Sequence, residues 1–331
     1  MKIKDTVGID MSKLTFDAFI HSNQVYKKLD NTKKHYKQLV DWVFKNSNHP
    51  KESILFILEH TGLYSHGLSV YLSSKNIPFL LAPGLEIKKS MGMIRGKSDK
   101  ADAKIIARYG YRMRDEIIPT KLSSEEEQGL KRLLSLRQRL VKQRSGFKAS
   151  HKEQSRVLIK KYNKTLLSIQ EKMINYLTKQ IKEVEKEMMT ILESNDVMYS
   201  NFKHIISIKG IGPQTALFII AYTANFTKFK DYRKFASYCG IAPFQNQSGT
   251  SVRGKTKVSS LANKKIKCLL DLCAKSSIQY NTEMKMYYQK RVAQGKNKMS
   301  TINIVRNKLL ARIFAVVNRN EPYVDIMKYA A

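Results

Sequence analysis

The chain has 331 residues, 42% of them apolar, enough to bury two or three cores. Sixty Lys and Arg stand against 27 Asp and Glu, a formal net charge of +33 that points to a polyanionic partner, nucleic acid ahead of an anionic membrane surface. A run of about 18 apolar residues is missing, MKIKDTVGID lacks an apolar signal core, and Cys239, Cys268 and Cys273 have no paired spacing, which argues against a spanning helix, a disulfide framework and a zinc knuckle. The expectation is a reduced, cytoplasmic protein without a membrane partner.

In chain order, TVGIDMSKLTFDAFI predicts two short strands around a turn, and NQVYKKL a third. NTKKHYKQLVDWVFKN has the helical spacing of Tyr36, Leu39, Val40 and Val43 after a capping Asn31. SILFILEHTG is an apolar strand ending in a turn, LYSHGLSVYLSSK a helix, IPFLLAPG a second buried strand, and Ser98 to about Met113 a helix. The order β-β-β-α-β-α-β-α predicts a mixed α/β sheet domain over residues 1–120.

Residues 121–198 are polar and nearly free of Gly and Pro. Leu167, Ile174, Leu177, Ile181, Val184, Met188 and Ile191 follow spacings of three and four, interrupted by Gln170, which makes an a/d seam. Two coiled-coil helices joined near 145–155 are expected, forming an intramolecular pair or an oligomer seam. Residues 199–331 predict a mostly helical domain. IISIKGIGPQTALFIIAY is a helix end, a glycine turn and an apolar helix; the segment from Phe229 to Cys273 is a helix, a long polar loop and another helix. Phe226, Phe229, Tyr232, Phe235 and Tyr238 have near-helical spacing and are assigned to the core.

Four acids carry the chemistry. Asp10 and Glu59 each end an apolar strand, where an unpartnered carboxylate is costly. Asp99 and Asp102, at i and i+3, share a helix face. Adjacent strands with a helix crossing their ends would bring all four together, and hard oxygen donors beside phosphate suit Mg²⁺ or Mn²⁺. The competing reading is a pair of solvated first-turn charges and two strand-end turn residues. Residues 250–267 hold six Lys or Arg and residues 286–319 hold eight, with no acid in either, so phosphate contact is expected there. The expected nucleic-acid contacts are Lys97, Lys100, Arg253, Lys255, Lys257, Lys264, Lys265, Lys296, Lys298 and Arg306, with Gly210 and Gly212 in a GIGP turn that either exposes backbone N–H groups to phosphate or simply turns a corner.

GIDMSK, EHTGLY and KSDKADA, followed by IKGIGPQTA, FASYCGIAPFQNQSGTSVRGKTKVS and GKNKMSTINIVRNKLL, resemble the DEDD transposases of IS110-type insertion sequences, relatives of the Piv invertase. The likeness runs through nearly the whole chain, with His60 and Ser98 as small departures. It implies a RuvC-like, RNase H-type first domain with Asp10, Glu59, Asp99 and Asp102 as the metal-binding tetrad. It implies a catalytic serine, Ser248, acting with a tetrad from another subunit of a tetramer on donor and target DNA, and guidance by a structured bridge RNA. Ser251, Ser259 and Ser260 are fallback serines. A RuvC-like junction nuclease using water and a non-enzymatic nucleic-acid-binding protein are the alternatives; a tyrosine recombinase would need an HxxR, and no histidine begins one.

Overall fold

The computed structural model describes residues 2–90, 92, 98–248 and 252–325, apart from the side chains of Asn246, Ser248, Val252 and Arg253. The chain divides into two compact units, Met1–Leu122 and Ser123–Ala331.

The first unit follows the predicted order, with one additional short helix after the last strand. It contains β1 (Asp5–Met11), β2 (Thr15–Ile20), β3 (Tyr26–Asp30), α1 (Lys33–Asn46), β4 (Ile54–Glu59), α2 (Leu63–Ser74), β5 (Phe79–Ala82), α3 (Gly84–Ser90) and α4 (Asp99–Met113). The strands form one sheet in the order β3-β2-β1-β4-β5. The β1–β2 and β2–β3 pairs are antiparallel; β1–β4 and β4–β5 are parallel.

Period-two alternation decides what each strand shows to each side. Val7, Ile9 and Met11 of β1, with Ile54, Phe56 and Leu58 of β4, pack with Leu39, Val43, Leu68 and Leu72 of α1 and α2. The intervening residues face α4: Leu55 and Ile57 cluster with Ile106 and Tyr109, and Phe19 with Ala103 and Ala107. α4 lies unusually close to the central strand. A Cβ on Gly8 would overlap the Ala103 carbonyl and the Ala107 backbone, and the Thr6 hydroxyl donates to the Ala107 carbonyl at 2.8 Å. The N-terminus of α4 is fixed by Ser98, whose hydroxyl accepts from the Ala101 N–H at 3.2 Å.

The second unit opens with α5 (Glu125–Val157) and α6 (Lys164–Glu193). Arg137 pairs with Glu185 at 2.6 Å, Arg144 donates to Thr178 at 3.4 Å, and Gln170 donates to Gln154 at 2.7 Å, so the two helices run antiparallel. The joint lies at 158–163, not 145–155. The serines that suggest a loop are accommodated inside α5: the Ser145 hydroxyl donates back to the Val141 carbonyl at 2.8 Å, leaving the helix ladder unbroken. Gln170 does not interrupt the seam either. It is buried within it and bonded across to α5.

The chain continues through α7 (Asp196–Ile206), α8 (Pro213–Thr223), α9 (Tyr232–Tyr238), β6 (Pro243–Ser248), β7 (Val252–Val258), α10 (Lys264–Tyr280), α11 (Thr282–Ala293) and α12 (Lys298–Arg319). β6 and β7 form an antiparallel hairpin where the sequence predicts a polar loop. Its described side chains are exposed or half-buried and form no buried face that would create an alternating pattern. α8 is buried almost throughout, as its apolar sequence requires, and packs with Leu270 of α10, Leu309 and Phe314 of α12, and Leu130, Leu134, Met188 and Leu192 at the base of the α5–α6 pair. Phe226 and Phe235 belong to this core, with the Phe226 and Phe314 rings 5.0 Å apart. The three cysteines are free, and no helix among the described residues is long and apolar enough to cross a membrane.

Because the obstacle at Gly8 is helix backbone, which cannot rotate away, Gly8→Ala is expected to lower stability by about 1–3 kcal/mol. A leftward shift of the first unit's urea midpoint at unchanged slope is the measurement.

Candidate active site

Asp10 is one step beyond Gly8 on the α4 face of β1, and Glu59 has the same parity as Leu55 and Ile57 on β4. Ile9 is in register with Leu58, so the two parallel strands end with Asp10 and Glu59 side by side. α4 starts over these strand ends and carries Asp99 and Asp102 in its first turn. All four carboxylates line one cleft of about 570 Å³, together with Lys88, Gly84 and apolar Ile87, Ile105 and Ile106. Gly84 makes room for the acid opposite: a Cβ there would collide with a Glu59 carboxylate oxygen.

The electrostatics are those of crowded acids. Asp10 is pushed up from 3.8 to about 6, first by burial and then by the charges of Asp102, Glu59, Asp99 and Asp17. Among the described residues, no three acid, His or Cys side chains converge closely enough to share one ion in this conformation. The donor set still fits a hard divalent cation. It is all carboxylate, lines an open cleft, and includes a group whose charge is strongly opposed by its neighbours.

Asp17 is a further acid beside this cleft, neighbouring Asp10, that the sequence pattern does not single out. It sits in β2 directly opposite Asp10, on the same face, and is only 3% exposed. The Tyr26 hydroxyl donates to it, and the Lys28 ammonium lies 3.7 Å away. The signal in the sequence is an acid inside the otherwise apolar TFDAFI, at the strand position that shares Asp10's face.

The other expected contacts fall into three groups. Lys97 and the fallback Ser251 are outside the described residues, as are the side chains of Ser248 and Arg253; the Ser248 backbone ends β6, in register with Val252 of β7. Lys100 is exposed at the start of α4, its ammonium 5.4 Å from the centre of the Tyr26 ring. Lys255, Lys257, Lys264, Lys265, Lys296 and Lys298 are exposed, as are Ser260 and, in part, Ser259. Arg306 differs: it is 7% exposed and ion-paired with Asp271, with a further bond to Asn303 at 3.2 Å, so its guanidinium is occupied inside the unit and not offered to phosphate. The i, i+4 spacing around it that builds the apolar face of α12 is the signal for its burial. Gly210 has φ +96° and lies against Ser277, whose hydroxyl donates to the Lys209 carbonyl at 3.0 Å; Gly212 caps α8 with open space around it.

Ionising Asp10 costs more in the folded chain than in the unfolded one, so below pH ~4 the wild type suffers no penalty, and the penalty grows as pH rises to about 6. Asp10→Asn is therefore expected to raise the metal-free melting temperature at pH 8 and to have no such effect at pH 3.5. Arg306→Met is expected to cost about 1–3 kcal/mol of stability by removing one of the two cations on Asp271, which keeps Lys275 at 2.8 Å, read by chemical denaturation.

Residues 7–162 match a DEDD transposase family of IS110 elements, and residues 203–289 match the "Transposase IS116/IS110/IS902 family". The chain is 27% identical over 333 residues to the "Pilin gene-inverting protein" of Moraxella bovis, covering 97% of this chain and 98% of that protein. The protein of the same name from Moraxella lacunata gives the same figures. The "Transposase for insertion sequence element IS1111A" of Coxiella burnetii is 23% identical over 256 residues, covering 69% of this chain and 68% of its own length. Cleft, sequence order and relatives agree: the chain belongs to the IS110 family of DEDD transposases, DNA-recombining enzymes for which divalent metal use is implied.

Proposed function

We propose that this transposase cuts and rejoins DNA strands through a RuvC-like, RNase H-type first unit whose Asp10, Glu59, Asp99 and Asp102 hold Mg²⁺ or Mn²⁺, and through Ser248 as nucleophile. The observation that carries the reading is the shared cleft of the four acids, three elements contributing side chains to one face. A bound divalent ion would supply charge for the phosphate oxygens and lower the barrier to nucleophile deprotonation. The chain's own residues do the remainder. Asp10, crowded by acids, is the carboxylate whose charge gains most from a cation. Lys100, Lys255 and Lys257 are exposed cations available to the phosphodiester backbone.

In the serine step, Oγ of Ser248 bonds to phosphorus as one P–O bond to deoxyribose breaks, and the freed sugar hydroxyl takes up the proton. The phosphoserine conserves the phosphodiester energy, and attack by a DNA hydroxyl reverses the exchange without ATP. No His or carboxylate is near Ser248 in sequence to act as its base, which favours activation by a tetrad, from another subunit in the family's arrangement.

The net charge of +33 and the family likeness support donor and target DNA, with a structured bridge RNA, as partners. Base pairing would then choose the sequence and the protein would hold backbone. Val157, Ile159 and Tyr162 are exposed where α5 turns into α6, which supports a homo-oligomer between dimer and tetramer. A cytoplasmic location, on the nucleoid when bound, fits these partners.

A water-using junction nuclease shares the acids but makes no adduct, and a purely structural binding protein needs neither. Denaturing-gel trapping with suicide DNA separates them. A covalent protein–DNA band in the wild type, absent in Ser248→Ala with DNA affinity retained, is expected. Asp102→Ala is expected to reduce strand transfer by at least ~10²-fold, the scale set by removing one transition-state electrostatic group. Cleavage with no band would transfer the case to the nuclease, and strand transfer surviving Asp102→Ala would refute the metal site.

A further inference from the structure

Three antiparallel positions form a row across the sheet on the α4 side: Asp10 on β1, Asp17 on β2 and Lys28 on β3. Lys28 is the cation of that row. Its ammonium is 3.7 Å from Asp17 and 3.4 Å from Asp99, so it links the buried floor of the sheet to the first turn of α4. The two contacts differ in kind. Asp17 is buried, held by the Tyr26 hydroxyl, and fixed in the strand ladder. Asp99 is 66% exposed, so its pair with Lys28 is screened and readily exchanged.

We infer that Lys28 is a built-in counter-ion for the acid cleft: anchored on Asp17, it occupies Asp99 in the metal-free protein and must release Asp99 before a divalent cation can use it. The inference rests on the tetrad reading, since it matters only if Asp99 is a metal ligand. The geometry accounts for the direction of Asp99, which turns toward an ammonium on β3 while Asp10, Glu59 and Asp102 line the same cleft. Other cations are placed less well for the task. Lys100 and Lys104 lie over the Tyr26 and Phe19 rings, and Lys88 lines the cleft from α3 without an ion pair to the tetrad among the described residues. Lys28 is thus a positioning residue. It sets where the Asp99 carboxylate waits, and it adds a monovalent competitor to the metal equilibrium.

The test is Mn²⁺ binding to the full chain without DNA, followed by electron paramagnetic resonance of the free ion at fixed ionic strength. Lys28→Met is expected to tighten Mn²⁺ binding about two- to fivefold, the range spanned by removing an exposed ion-pair competitor. In an Asp99→Asn background the same change is expected to have no effect, because the contested ligand is gone. Lys28→Gln serves if the Met variant does not fold, with melting curves confirming the native state. Unchanged or weakened Mn²⁺ affinity in Lys28→Met would overturn the inference, as would an equal gain in the Asp99→Asn background, which would mean a diffuse field and not competition for one carboxylate. Asp10→Asn is the separate arm. If it weakens Mn²⁺ binding the tetrad reading stands whatever Lys28 does; if it leaves binding intact, the tetrad reading fails and the Lys28 inference falls with it.

Discussion

Carboxylates that repel one another stay around a common cleft only if something rigid holds each of them from behind, and in this protein the rigid part is the contact of α4 with β1. Gly8 lets the helix backbone approach the central strand, and Ala103 and Ala107 are the small residues that complete the approach. Once that contact is made, the position of Asp99 and Asp102 is set by helix geometry, and that of Asp10 by being two residues after Gly8 on the same strand face. Glu59 is set by parallel register with β1. A larger residue at position 8 would act on the site without touching any acid, because it would lift the helix that carries two of them.

The same sheet provides partial neutralisation. An isolated acid at the position of Asp17, only 3% exposed, would be costly. The Tyr26 hydroxyl and the Lys28 ammonium make it tolerable, and both come from β3, the edge strand beyond it. The row Asp10–Asp17–Lys28 is therefore a graded arrangement: an acid under strong repulsion on the central strand, a satisfied acid beside it, and a cation at the edge. Burial and like charges raise Asp10 to about 6, so the end of the row on the central strand β1 is the part left unsatisfied by protein groups.

Much of this is legible in the sequence. Strands β1 to β5 and most of their intervening helices follow from apolar runs and caps, and the four acids that share the cleft from two strand ends and an i, i+3 pair in a helical first turn. Asp17 escapes because it lies within a strand, where a single polar residue looks like ordinary alternation; its meaning depends on the register of β1 with β2, which no local pattern records. The α5–α6 joint is misplaced by the sequence pattern because Ser145 and its neighbours carry loop-forming side chains that a long, packed helix tolerates through back-bonding. The β6–β7 hairpin is hidden for the opposite reason. Among its described side chains none is buried, so hydropathy has no period there to detect. Arg306 looks like a surface cation because it belongs to a basic run, yet each residue of a run on a helix faces a different direction.

A net charge of +33 is accordingly not one uniform field. Cations in this chain serve two separate ends. Arg137 and Arg306 are consumed in pairs with Glu185 and Asp271 that hold helices together, and Lys28 in pairs that bridge Asp17 of the sheet to Asp99 of α4. The lysines at the start of α10 and α12 and along β7 are exposed. With acids outnumbered by more than two to one, internal pairing can absorb fewer than half of the basic residues, and the rest must face solvent or a polyanion. The cleft lined by Asp10, Glu59, Asp99 and Asp102 is the exception within this field, a pocket of negative charge in a positive chain. That contrast suits a protein that must bind a phosphate backbone over a wide surface while gathering divalent cations at one place on it.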